Sequence, residues 1–270
     1  MSSFGGQFRM KIEKVCLNKE KHIMDEIIDN GISFDSEDLS GYTLAETECL
    51  YNTEIDKYIV RLYREKQQKQ TWCGIGVIVG NFLITVAHVM RDKKTKEKFS
   101  YLYFQFDGQT KRVDSSDIVF DGRAGLDDDV DNIHQDLIIF KLVEMNSPFE
   151  LNTASFALPL DVFSWKFDDT YSSQKGENRI LWQKGYRQKN NNKEDEGNPE
   201  WKNCLLVTGE FISGNSGTPI FCKNIIYGVL IGRVIENYPY EIIKPLLKKG
   251  DSIYNFLDAR YIQEIITHIK

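Results

Sequence analysis

From residue 58 onward the apolar side chains come in short runs rich in β-branched and aromatic residues, separated by turn formers. A chain patterned this way cannot build a helical bundle. It must bury its apolar faces in sheets, as a sandwich or a barrel. Residues 58–63 alternate, and residues 71–79 and 82–86 form two β-rich runs split by Gly80 and Asn81, a two-residue hairpin signal. Residues 101–106 alternate again, and 136–142 (DLIIFKL) make a further strand. Residues 157–160 (ALPL) read as a crossing segment, because proline disfavours a central strand. More short runs follow at 179–184, 204–208, 218–222 and 225–231.

The two ends differ from this middle. Residues 258–269 place Tyr261, Ile262, Ile265, Ile266 and Ile269 on one helical stripe, with Asp258 as its N-cap. Residues 11–29 predict an amphipathic helix carrying Val15, Ile23, Ile27 and Ile28, stopped by Asn30 and Gly31. Residues 188–199 (QKNNNKEDEGNP) read as a polar surface loop. The expected organisation is an N-terminal extension over 1–55, partly helical, followed by one β unit over 56–270.

Composition removes several function classes. The 270 residues are 41% apolar and 27% charged, which is ordinary for a globular chain. The net charge of −6 offers no domain-wide basic field for nucleic acid. No apolar leader follows MSSFGGQFRMKIEKV, and no run approaches the length that spans a membrane. The five cysteines (Cys16, Cys49, Cys73, Cys204, Cys222) contain no C-x-x-C pair, so no zinc site is expected. These features together predict a cytoplasmic protein with free thiols, without a membrane or nucleic-acid partner.

Three segments carry chemistry. In residues 213–219 (SGNSGTP) two glycines flank Ser216 in a tight turn. Glycine admits backbone conformations closed to other residues, so N–H groups can converge beside the hydroxyl, as acyl transfer requires. In residues 82–89 (FLITVAHV) His88 sits at the end of an apolar strand. Asp136 opens the apolar run 136–142, where an unpaired carboxylate would be costly and an imidazole N–H would be a suitable partner. Taken singly, each has a plain structural reading: a turn, a core histidine, a strand-start aspartate.

Together and in this order, the segments resemble the trypsin/chymotrypsin superfamily. T-V-A-H is similar to the family's T-A-A-H, D-L-I-I-F-K-L to its D-I-A-L-L-K-L, and G-N-S-G-T-P to its G-D-S-G-G-P. Residues 72–77 are similar to the strand before the histidine, 157–160 to the interbarrel crossing, and 180–185 to the first strand of barrel two. The resemblance implies an all-β fold of two six-stranded antiparallel barrels, about 56–150 and about 165–255, closed by a helix over about 258–269. It implies a serine endopeptidase that uses no cofactor or metal, with Ser216 as nucleophile, His88 as general base and Asp136 orienting it. The N–H groups of Gly214 and Ser216 would form the oxyanion hole. The partners implied are a peptide or protein substrate and, through residues 1–55, a protein partner.

The departures are informative. Asn215 stands where zymogen-type members carry an aspartate, and it cannot form their activating ion pair. The turn is similar in this respect to the glutamyl-endopeptidase and high-temperature-requirement branches, so competence without cleavage is expected. Val89 stands where secreted members have a cysteine, leaving Cys73 without that partner. Cys222 matches a family disulfide position, and a Cys204–Cys222 bridge stays open. Glu210 lies at the offset where trypsin binds a basic side chain, while Ile231, Gly232 and Arg233 would wall the primary pocket. Arg233 would favour acidic side chains or neutralise Glu210, and the expectation leans to cleavage after Arg or Lys, with acidic and apolar preferences as the alternatives. The acidic run 127–131 lacks the spacing of a calcium loop and reads as solvated. His134, near Asp136, is the rival base. A silent protease-like binding module and an esterase are the alternative functions.

Overall fold

The computed structural model describes residues 32–33, 53–66, 69–92, 95–124, 135–154, 156, 158–167, 173–183, 187–188, 203–233 and 244–269. The expected helix over 11–29, His134 and the acidic run 127–131 lie outside these residues. The chain divides into two compact units, residues 1–41 with 185–197, and residues 42–184 with 198–270. In the first, β1 (Ile32–Ser33) pairs antiparallel with β12 (Arg187–Gln188).

The second unit begins with a 3₁₀ turn, Thr53–Tyr58, which buries Ile55. Its first sheet holds β2 (Ile59–Lys66), β3 (Lys69–Val79), β4 (Phe82–Thr85), β5 (Tyr101–Phe106), β6 (Gln109–Asp114), β7 (Ile118–Asp121) and β8 (Ile138–Lys141). The order is β6-β5-β2-β3-β4-β8-β7, a curled sheet. The alternation predicted for 101–106 appears as Leu102 and Phe104 pointing inward. Every residue of β4 is buried, because it lies between β3 and β8 with both faces covered. Gly80, at φ +55°, and Asn81 make the expected hairpin, with Val79 opposite Phe82.

The second sheet holds β9 (Glu150–Leu151), β10 (Leu160–Phe167), β11 (Ser173–Gln183), β13 (Cys204–Gly209), β14 (Pro219–Cys222), β15 (Ile225–Arg233) and β16 (Ser252–Asp258). Its order is β14-β10-β11-β13-β16-β15-β9, and β14 also pairs with β15, which closes six strands into a barrel. The fold is therefore a double β-barrel of the chymotrypsin-like kind, with one helix, α1 (Ala259–Ile269), after it. The first strand of barrel two is β10, ahead of the run 180–185 that resembles the family's first strand and whose start lies in β11. The run LDVFSWKF hides its inward face because Ser164 is a buried polar residue, satisfied by the Asn178 amide at 2.7 Å.

Helix α1 begins as predicted: Asp258 Oδ1 accepts the Arg260 N–H at 2.9 Å. Ala259, Ile262 and Ile266 are buried in a core cluster that also contains barrel-one residues such as Leu62, Ile75, Leu83 and Phe140. A smaller cluster around Val162, Ile180, Leu205, Ile220 and Phe256 fills barrel two. Cys73 and Cys204 are free, as expected, but Cys222 is disulfide-bonded, so neither a Cys204–Cys222 bridge nor a chain of wholly free thiols is found.

Candidate active site

His88 is delivered by the end of β4. After Val86 the chain enters the 3₁₀ turn Ala87–Met90, which buries Ala87, Val89 and Met90. With the other three side chains committed to the core, the His88 ring faces outward, one-third exposed. Asp136 comes from the opposite strand. Thr85 pairs with Ile138, so the residues just past Thr85 and just before Ile138 meet at one end of the sheet. There, His88 Nδ1 and Asp136 Oδ2 are 2.6 Å apart, and the His88 backbone N–H donates to Asp136 Oδ1 at 2.9 Å. An ionised carboxylate only accepts, so Nδ1 carries the proton and Nε2 keeps its lone pair on the far side of the ring.

Asp136 is only 1% exposed. Burial pushes its carboxyl up, but the hydrogen bond and charge of His88, joined by the Arg123 guanidinium, outweigh burial and hold it below the usual carboxylate range. Arg123 Nε lies 3.1 Å from Asp136 Oδ1. Sequence reasoning missed this arginine. It belongs to no motif and no periodic face, and only the tertiary fold brings it to the carboxylate.

The Ser216 turn is built from its glycines. Gly214 and Gly217 have φ of +97° and +88°, in the left-handed region. The Asn215 N–H donates to Ile212 O at 3.1 Å, the Gly217 N–H to Leu230 O at 2.7 Å and the Thr218 N–H to Asn215 O at 3.0 Å. Among the described residues the Gly214 and Ser216 N–H groups have no protein acceptor. Asn215 is buried, and its side-chain amide donates to Ile212 O at 3.3 Å.

The turn is fastened to barrel one. The Ile75 N–H donates to Ser216 O at 2.8 Å, and Thr85 Oγ1, at the end of the strand that leads to His88, donates to Ile75 O at 2.6 Å. A Cβ on Gly217 would lie 2.0 Å from Ile75 O and 2.5 Å from Thr85 Oγ1. The Trp72 ring lies against Gly214, and its Nε1–H donates to Gly74 O at 2.9 Å. Trp72 had been read only as a strand residue.

The expected pocket residues are placed as follows. Ile231 is buried, Gly232 borders open space, and Arg233 is exposed at the end of β15. Glu210 is exposed just beyond β13. The desolvation cost that would make a buried carboxylate seek a substrate cation does not act on it.

Comparison with known proteins agrees with this geometry. In fold, the chain is similar to the active form of the Rv3671c protease of M. tuberculosis, at 14% identity and TM-score 0.52, over 80% of this chain and 82% of that one. It is similar to the serine endoprotease of Yersinia pestis at 14% identity and TM-score 0.51, over 80% of this chain and 63% of that one. No curated protein matches it by sequence. The family model Trypsin matches residues 50–239, which include His88, Asp136 and Ser216, and the chain belongs to the trypsin-like serine protease superfamily.

Proposed function

We propose that the chain is a serine endopeptidase working through an acyl-enzyme on Ser216. The observation that carries the reading is the 2.6 Å pairing of His88 with the buried Asp136 at the end of β4, beside the strand whose Ile75 N–H holds the Ser216 turn. In this reading Ser216 Oγ attacks the scissile carbonyl, His88 Nε2 takes the hydroxyl proton, and the same imidazole later gives it to the leaving amine. Asp136 keeps the proton on Nδ1 and stabilises the imidazolium. The unmatched N–H groups of Gly214 and Ser216 are the donors for the oxyanion, whose loss from such a site costs about 10²–10³ in rate.

The neutral amide of Asn215 supports competence without N-terminal cleavage, because it cannot form an ion pair with an incoming amine, and it donates within its own turn to Ile212 O. It also supports a place beside the branches that carry G-N-S-G. Substrate side chains would enter beside Ile231 and Gly232, with Glu210 and Arg233 as exposed charges at the rim.

The test is reaction of the full-length protein with a fluorophosphonate probe, followed by hydrolysis of a peptide library. Labelling and cleavage are expected for the wild type and absent in Ser216→Ala, and His88→Ala should lose about as much. Absence of labelling in the wild type means a silent binding module. Labelling without peptide cleavage means an esterase. Peptide cleavage by purified Ser216→Ala would refute the nucleophile.

A further inference from the structure

We propose that Arg123 is a positioning residue for Asp136: it fixes the carboxylate on His88 and offsets part of the charge that the imidazole meets. The inference rests on the His88–Asp136–Ser216 reading. Asp136 is buried and has two oxygens to satisfy. Oδ2 faces His88 Nδ1 at 2.6 Å, while Oδ1 receives the His88 backbone N–H at 2.9 Å and faces Arg123 Nε at 3.1 Å. A carboxylate held from both sides cannot rotate away from the imidazole. The guanidinium suits this task, being always charged and planar.

Arg123 does not reach Asp136 by chance of rotamer, because the turn that carries it is clamped. The Gly122 N–H donates to Leu137 O at 2.8 Å, one residue from Asp136, and a Cβ on Gly122 would lie 2.2 Å from Gln135 O. Asp121, itself nearly buried, accepts the Arg123 backbone N–H at 3.2 Å. The same carboxylate takes Arg91 Nη2 at 3.2 and 3.0 Å, and Arg91 Nη1 donates to Ala87 O at 3.2 Å in the turn that carries His88. One carboxylate, Asp121, therefore ties the His88 turn and the Arg123 turn together.

Among the described residues the charges around the pair are few. They are His88 and the following Arg91, Arg123 and Asp121 on the β7 side, and Lys98, 3.5 Å from Asp121. Lys141 of β8 is exposed, and the Ser216 turn has no charged residue. With Arg123 present, the imidazolium meets a carboxylate already partly neutralised. In Arg123→Gln it meets an unopposed one and holds its proton to higher pH.

The experiment measures kcat and KM against pH, with fluorophosphonate labelling rate in parallel, for wild type, Arg123→Gln and Arg123→Lys. In Arg123→Gln the acid limb of kcat/KM should move up by about one pH unit. The plateau kcat should fall about tenfold with KM unchanged. Arg123→Lys keeps the charge and should keep the limb within about 0.3 unit of wild type, since a shift follows the charge removed. A folded Arg123→Gln with the wild-type limb and kcat overturns the proposal. If Arg123→Gln does not melt cooperatively, Arg123→Lys decides: a limb displaced by about one unit despite the retained charge overturns it. A wild type that neither labels nor hydrolyses is a failure of the underlying triad reading, not of Arg123.

Discussion

Gly217→Ala tests whether the fastening of the Ser216 turn to barrel one sets activity. The new Cβ would stand 2.0 Å from Ile75 O and 2.5 Å from Thr85 Oγ1, at a φ of +88°. The first of these atoms is backbone inside β3, so it cannot swing aside, and the turn itself must move by about 1 Å. Two costs add: about 1–2 kcal/mol for a side chain at this φ, and about 1–3 kcal/mol for forcing atoms into a filled space. The sum, about 2–5 kcal/mol, lowers the melting temperature by about 2–4 °C for each kcal/mol. The movement also pulls on the bonds from Ile75 N to Ser216 O and from Gly217 N to Leu230 O, so the hydroxyl leaves its place. A displacement of this size costs about 100-fold in rate. Gly108→Ala is the control: its φ is +72°, but nothing lies within 4 Å of the new Cβ. It should lose only the conformational part of the stability and none of the fluorophosphonate labelling rate. Equal melting temperatures and labelling rates for the two variants would refute the reasoning.

The remaining predictions concern charge, thiols and packing. The Asp136 carboxyl titrates below its ordinary range, so its contribution to stability is complete above the unfolded carboxylate range near pH ~4 and is lost as pH falls through the lower folded value. The melting-temperature gap between wild type and Asp136→Asn should therefore be widest near neutrality and shrink on acidification, and calorimetry showing a constant gap would contradict this. Burial pushes the Cys204 thiol up to about 12, with Asp258 adding to the shift. At pH ~8 alkylation of Cys204, followed by mass spectrometry, should wait for unfolding, since the thiolate is the nucleophile. Ile262→Ala removes a fully buried side chain of α1 and should cost about 2–5 kcal/mol, read by denaturant titration.

The sequence was most legible where one local signal decides a structure. Gly80 and Asn81 had to turn, residues 101–106 had to alternate, and Asp258 had to cap. Asp136 drew attention because a carboxylate opening a strand like 136–142 needs a partner, and the family resemblance pointed to His88, which the structure places 2.6 Å from it. What stayed hidden depends on encounters between distant segments. Arg123 looks like any turn arginine until β7 and β8 pair and Gly122 packs on Gln135. Trp72 looks like a strand residue until barrel two lays Gly214 on its ring. Strand β10 went unread because Ser164 occupies an inward position, and its partner, Asn178, lies on the next strand. The bonded state of Cys222 was signalled only by its match to a family disulfide position, and the one candidate bridge, to Cys204, is not the one formed.

Helix α1 joins the cluster that runs from barrel one into Phe221, Val229 and Leu257 of barrel two, although every strand of both barrels precedes it in the chain. During synthesis the barrel-one strands leave the ribosome first, yet the cluster they share with Ala259, Ile262 and Ile266 stays incomplete until the last of these residues has emerged. A nascent chain stalled within barrel two would thus present an apolar face that the finished molecule covers, a surface of the kind chaperones hold and aggregates grow from. The contacts that close it reach from α1 to β15 and β16 and back to β7, so completion is expected to be slow relative to strand pairing within a hairpin. Order of manufacture therefore bears on the protein's fate in the cell: barrel-one residues share a core with a helix translated after both barrels.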